Sequence, residues 1–244
     1  MQPFFHFSTT HKHICSLFLL ILFIAPNSRA GDFIQVLPCS RDVAFARYLA
    51  ALEERDPFRK SEPVGILIEA SLDELYKSAG LLAVRTQRPN EPGEVHVLQI
   101  AGDGTVVEEV IQRYFMLREQ FDSLPLSSIA ITPANYKFHF AGEVQTEGGG
   151  AYIYDITPKK NRPGMLIGRL WIDSATGHEI MLTGHLLHLP ATAQPIDIVR
   201  DTKMANGSVY ARVTHAALAL PQLGRAEVVI TEMLLPPEVT SRTE

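Results

Sequence analysis

Residues 136–189 read YKFHFAGEVQTEGGGAYIYDITPKKNRPGMLIGRLWIDSATGHEIMLTGHLLHL, four short apolar runs separated by turn-forming residues. Tyr136, Phe138 and Phe140 alternate with Lys137, His139 and Ala141. Beyond Gly148-Gly149-Gly150 the alternation resumes at Tyr152, Tyr154 and Ile156. A side-chain period of two is the mark of a strand, because successive side chains point to opposite faces. The run 165–173 sets Leu166, Leu170 and Ile172 on one side and Met165, Ile167, Arg169 and Trp171 on the other. Neither side is fully polar, so both faces of this strand are expected to be partly covered. The turn 173–177, DSATG, places Gly177 where a left-handed residue ends a tight loop, and a fourth strand returns from Glu179. The stretch therefore reads as two successive antiparallel hairpins.

The flanking sequence extends the same pattern. On the C-terminal side, runs 196–204, 209–220 and 225–234 are separated by Asn206-Gly207, a strong two-residue hairpin signal, and by Pro221 to Gly224. On the N-terminal side, 64–69 reads as a strand, and 81–88 with 94–100 reads as a hairpin. Between 64–69 and that hairpin, Ser71-Leu72-Asp73-Glu74 has the pattern of a capping box, which predicts a brief helix ending at Gly80.

Two longer helices are expected. Ser40 is a fair N-cap for residues 41–55, where Phe45, Tyr48, Leu49 and Leu52 share one face. Thr105-Val106-Val107-Glu108 reads as a second capping box, followed by a stripe at Val106, Val110, Tyr114, Leu117 and Phe121 that Val107, Ile111 and Phe115 widen. Such a stripe needs a surface to cover it. The sum is about nine or ten strands joined mostly by short turns, with helices in the first half. The expected fold is α+β, a curved antiparallel sheet forming an incomplete β-barrel with helices packed on its concave side.

The first thirty residues read as a separate signal. Lys12 precedes an uncharged run from Ile14 to Ala25, and Ser28-Arg29-Ala30 supplies the small residues that a signal peptidase requires, so residues 1–30 are expected to be removed. The apolar run is roughly twelve residues long, short of the about twenty that span a bilayer. An exported, periplasmic location follows, with no transmembrane anchor after cleavage and a peripheral association with a membrane left open. The remaining organisation is read as 31–126, the helical and hairpin N-terminal part of the half-barrel; 127–235, the meander that completes it; and 236–244, a polar tail.

The whole chain carries 22 Lys and Arg against 27 Asp and Glu, and both bases of the signal, Lys12 and Arg29, leave with it. That acidic balance argues against a nucleic-acid binder that works by neutralising phosphates. Of the two cysteines, Cys15 lies in the signal, which leaves Cys39 without an intrachain partner. Stability must then come from packing.

No nucleophile elbow, zinc-protease helix, Cys-x-x-Cys pair or phosphate loop is present. His178, His185 and His188 suggest a metal set at first sight. His185 and His188 are three apart on an expected strand, however, and so face opposite ways. No catalytic residue, metal site or cofactor is assigned. The only dense basic cluster is Lys159-Lys160-Asn161-Arg162. Lys159, Lys160 and Arg162 are either a solvated hairpin end or a patch for anionic lipid headgroups or an acidic partner. Trp171 is either a core residue or a ligand platform, with the core favoured for a lone strand tryptophan.

The motifs TPKK at 157–160, RPG at 162–164, GRLWID at 168–173, TG at 176–177, DIVRD at 197–201, ARVTH at 211–215 and GRAE at 224–227 together resemble exported bacterial proteins related to the outer-membrane lipoprotein-sorting, or lipoprotein carrier-like, superfamily. The resemblance covers roughly the second half of the chain and implies an open barrel whose apolar concave face is lidded by helices. It implies a non-catalytic envelope protein that binds acyl chains or lipidated polypeptide. A protein-sensing or scaffolding module with an envelope partner is the other reading it allows. The family's apolar surface has no short motif, so it assigns no lipid-contacting residue here.

Overall fold

Leu72 and Lys77 are cross-strand partners, and the three residues between them and Tyr76 form one tight 3-10 turn, Asp73–Leu75. The capping-box helix expected from 71 to 80 is therefore replaced by a hairpin. Ser71 Oγ donates to the Asp73 side chain at 2.7 Å instead of capping a helix, and Gly80 lies inside a strand. The physical reason is register: Val64 to Leu72 pairs residue for residue with Arg85 to Lys77, and the ladder takes the backbone groups that a helix would need.

The computed structural model describes residues 40–53, 58, 63–86, 94–122, 124–146, 148–187 and 196–236, all within one compact unit, Pro38–Glu244. The expected signal segment, Cys39, the end of the first helix near Arg55, the 87–93 turn, His188 and the tail beyond 236 lie outside the described residues.

Ten antiparallel strands form one curved, unclosed sheet: β1 Val64–Leu72, β2 Lys77–Thr86, β3 Glu94–Gly102, β4 Tyr136–Thr146, β5 Gly149–Pro158, β6 Leu166–Asp173, β7 Glu179–Leu186, β8 Ile196–Ala205, β9 Ser208–Leu220 and β10 Gly224–Leu234. Their order is β3-β2-β1-β10-β9-β8-β7-β6-β5-β4. This is an up-and-down meander whose last strand returns to pair with its first. The step from β3 to β4 is the one sequential step without a ladder, and the barrel opens there.

The interruption coincides with the main helical segment, α2 Gly104–Val106, a π-helical turn Val107–Ile111, α3 Gln112–Asp122 and the short α4 Leu126–Ile129. Asp103, not Thr105, caps this helix: its carboxylate accepts from the Thr105 amide at 2.8 Å. The Thr105 hydroxyl accepts from the Lys77 ammonium at 3.1 Å, so the capping box read from Thr105 and Glu108 does not form. The stripe does what its spacing predicts. Val106, Val110 and Ile111 are buried in one cluster with Ile66, Ile68, Leu81 and Ile230, all inward-facing on β1, β2 and β10.

The other half of the sheet is covered by α1, Ser40–Glu53. Ala44 and Tyr48 are buried with Tyr136, Tyr154, Ile156, Leu170 and Leu182, and Phe45 and Leu49 pack beside them, while Leu52 stays exposed. Burying side chains of this size contributes about 1.5 to 3 kcal/mol each, so each helix is held mainly by the face it lays on the sheet. Gly177, at φ +80°, shows how closely α1 approaches: a Cβ there would lie 2.5 Å from Arg47 Cβ and 2.7 Å from the Tyr48 nitrogen.

The two sides of β6 are covered unequally. Leu170 and Ile172 are fully buried; on the other side Met165 is buried just before the strand begins and Trp171 is half-buried, but Ile167 and Arg169 are open to solvent. Trp171 lies outward between its cross-strand partners Ile153 and Met181 instead of in the core.

Candidate functional site

The opening between β3 and β4 is bordered by two edge strands. On β3, Val97 and Ile100 pair with Ala83 and Leu81 and share their inward face. Ala83 and Leu81 are 0% and 3% exposed, whereas Val97 and Ile100 are 49% and 50% exposed. A register shift leaves Leu98 unpaired between Val97 and Gln99, and it too is half-exposed. The inward face is thus apolar to its last strand, yet the side chains of that strand stay half-exposed. On β4, inward-facing Phe140 is 37% exposed beside Tyr154. Apolar side chains are therefore partly exposed on both borders of the opening.

The helix reaches from one border to the other. It begins at Asp103, directly after β3, and a Cβ on Gly164 in the β5–β6 connection would lie 3.1 Å from both Phe121 and Leu124. Asp103 is anchored against β2: its amide donates to the Ser78 carbonyl at 2.9 Å, and its carboxylate lies 3.3 Å from Lys77. Desolvation pushes this carboxyl up, but the bonds from Thr105 and Lys77 outweigh it and hold the group below the usual carboxylate range.

Beneath α1 the concave face is aromatic. Phe45 stacks among Tyr48, Phe138 and Tyr154 at centroid distances of 6.0, 5.0 and 5.2 Å, and the Arg41 guanidinium lies 4.8 Å over the Phe140 ring. Ser40 Oγ lies 2.7 Å from the Tyr152 hydroxyl, and the Tyr48 hydroxyl donates to the Ile131 carbonyl at 2.9 Å. Burial raises the Tyr48 phenol well above its ordinary value, and the nearby Glu179 charge adds to it. Burial also raises Tyr136, against the Leu166 amide that lowers it.

Charge on the inward face is paired. Glu232 sits 3.0 Å from Arg118 and 3.6 Å from Arg85, and Arg85 also donates to the Phe58 carbonyl. Such pairs leave the face suited to apolar contact near α1 and the helix, without an isolated charge to oppose it.

The basic turn lies at the start of the β4 border. Tyr136 pairs with Pro158, the Lys159 amide donates to the Asn135 carbonyl at 2.7 Å, and the Lys159 ammonium donates to the Pro133 carbonyl. Lys159, Lys160 and Arg162 are all exposed, so the structure brings the three together in one solvent-facing turn. Among the described residues no group of His, Cys, Asp or Glu is set to hold a metal ion. His185 faces outward on β7 and pairs with Asp197, and His178 lies in the β6–β7 turn. Asp173 accepts from the amides of Ala175 and Thr176 at 3.1 and 2.6 Å, which is a turn role. The β3 border escaped sequence reasoning. Its signal was the run Val95, Val97, Leu98 and Ile100 in a strand next to the one interrupted connection.

A surface cavity of about 340 Å³ lies at the β1–β2 tip, lined by Ser71, Asp73, Tyr76, Lys77 and Ser78.

No protein-family model matches the chain, and neither does any curated protein. Among solved structures it is similar to a LolA superfamily protein, NE2245, from Nitrosomonas europaea, at 10% identity and a TM-score of 0.35 over 81% of this chain and 96% of that one. It is similar to MucB in the Pseudomonas aeruginosa MucA/MucB complex, at 11% identity and a TM-score of 0.25 over 82% and 96%. It is also similar to the S-type phycobiliprotein lyase CPES of Guillardia theta, at 10% identity and a TM-score of 0.31 over 82% and 99%. Among the described residues no helix is long and apolar enough to cross a membrane.

Proposed function

We propose that the protein is a non-catalytic, exported cell-envelope module that binds an acyl chain or lipidated polypeptide at the opening between β3 and β4. The observation that carries this reading is the half-exposure of Val97 and Ile100 on the inward face, where their neighbours Ala83 and Leu81 are buried. Bare apolar surface at a concave border gains about 25 cal/mol for each Å² that a ligand covers. The basic turn supports the same reading by its place. Lys159, Lys160 and Arg162 sit beside the first residues of β4, where they can hold an anionic headgroup while the chain enters the opening.

Native mass spectrometry after gentle purification tests the proposal. Bound lipid and enhancement of a hydrophobic dye are expected from the parent, and both should fall in the double variant Val97→Ser, Ile100→Ser. A lipid-free parent that leaves the dye dark would overturn it.

A second reading, a protein-sensing or scaffolding module, is favoured by a different observation. Among the described residues β3 and β4 each have a strand neighbour on one side only, and their outer backbone groups could take an added strand from a partner. Crosslinking to a polypeptide without retained lipid would select it.

A further inference from the structure

Tyr76, at the tip between the 3-10 turn and β2, is 97% exposed and held at φ 54° and ψ 38°, the left-handed region. Its amide closes the turn by donating to the Asp73 carbonyl at 3.1 Å. Glycine or asparagine would do this without strain, whereas a bulky residue there is an outlier that surrounding packing normally has to enforce. Nothing packs on this ring, so folding gains nothing from having tyrosine at 76. Strained residues of this kind cluster at binding sites.

The surroundings of the ring have a definite chemistry. The cavity of about 340 Å³ that Tyr76 borders falls at the lower end of the roughly 300–1,000 Å³ typical of small-ligand sites. Ser71 and Ser78 are direct cross-strand partners on the outward face, so two hydroxyls lie side by side in its lining. Asp73 is exposed; one carboxylate oxygen takes the Ser71 hydroxyl at 2.7 Å. The Lys77 ammonium is already engaged by Thr105 at 3.1 Å and Asp103 at 3.3 Å, which leaves it poorly placed to draw in a phosphate. The arrangement combines an aromatic face, a carboxylate acceptor and paired hydroxyls, with the nearby cation neutralised.

We propose that the β1–β2 tip is a saccharide-binding site, in which a pyranose ring lays its C–H face on Tyr76 and its hydroxyls meet Asp73, Ser71 and Ser78. A neutral polyol matches each element: the ring face is apolar, the hydroxyls both donate and accept, and no net charge is required. Its two serines face outward on the hairpin, and the proposal does not rest on the apolar opening.

Titration of the isotope-labelled full chain with glucose, N-acetylglucosamine and chitobiose, followed by amide chemical shifts, tests it. Saturable shifts confined to residues 71–78 and 103–105 are expected with at least one sugar, at millimolar affinity. Tyr76→Asn keeps the left-handed backbone and removes the ring; binding should weaken about tenfold or more, a loss of about 1.4 kcal/mol, while the melting temperature holds or rises. Tyr76→Phe should bind as the parent does, and Asp73→Asn should weaken binding. Absence of saturable shifts with all three sugars, or equal affinity in Tyr76→Asn, would overturn the proposal. So would inorganic phosphate producing the same shifts, which would mark the site as one for anions.

Discussion

Arg200 grips Glu179 with two parallel hydrogen bonds, from Nε at 2.8 Å and from Nη2 at 2.9 Å, across the inward face of β7 and β8. Glu179 is 13% exposed and Arg200 30%, so the pair is neither a surface ornament nor fully desolvated. Glu179→Ala leaves a partly buried guanidinium without its fork. It should cost about 2 to 3 kcal/mol, less than the 3 to 5 of a fully buried pair. Exchanging both residues, as Glu179→Leu with Arg200→Met, should cost less than the single change. Urea denaturation of the three proteins checks this, and equal losses in single and double variants would refute it.

Tyr48 gives the alkaline limb of stability its sign. Its folded-state phenol lies above the unfolded value of about 10, so its contribution is complete below that pH and is lost as pH rises toward the folded value. Tyr136 acts in the same direction. The melting temperature should therefore be insensitive to these phenols at neutral pH and fall above about pH 10. Tyr48→Phe should lose about 1 kcal/mol at neutral pH, from the bond to Ile131, and show a shallower alkaline fall.

Gly177→Ala sets a strained backbone and a steric overlap against the seat of α1. With Arg47 and Tyr48 within 2.7 Å of the new methyl, the turn or the helix must move. A loss of about 3 kcal/mol or more is expected in a thermal melt. Gly207→Ala, where nothing lies within 4 Å, should cost less.

Replacing Lys159, Lys160 and Arg162 together by Ser should weaken binding to anionic vesicles and flatten its salt dependence. All three are exposed, so stability should change by less than about 0.5 kcal/mol per site. Among the described residues, the side-chain bond lost is that of Lys159 to the Pro133 carbonyl. Unchanged vesicle binding in a variant that melts like the parent would leave a solvated turn as the better description.

The strands were legible because their period and turn residues agree. Asn206 and Gly207 both adopt positive φ, as their hairpin requires, and the alternation at Tyr136, Tyr152 and Tyr154 marks the buried side without error. Signals that rest on a single side chain were less secure. Thr105 and Ser71 both matched a capping pattern, but Asp103 reached the amide first in one case and strand pairing took the backbone in the other. Trp171 was misjudged as core because chemistry suggests burial, whereas face is decided by parity with Leu170 and Ile172. The apolar opening was hidden for a different reason: alternation marks Val97 and Ile100 as inward, but their exposure goes with β3 standing at the border of the sheet, which only the strand order shows. The basic turn was visible as a cluster, but its place beside β4 came only with the pairing of Tyr136 and Pro158.

The pairing of Val64 with Leu234 sets a timetable. β1 gains its second neighbour only when the last strand is available, so the earliest strand to be synthesised waits for the latest. Closing so long a span costs loop entropy that the other pairings, all between neighbours in sequence, do not incur. Until β10 docks, β1 and β9 are both raw edges, able to capture strands from other chains. A polypeptide that cannot finish its sheet early also leaves a longer interval in which a chaperone or a protease can reach its unpaired strands.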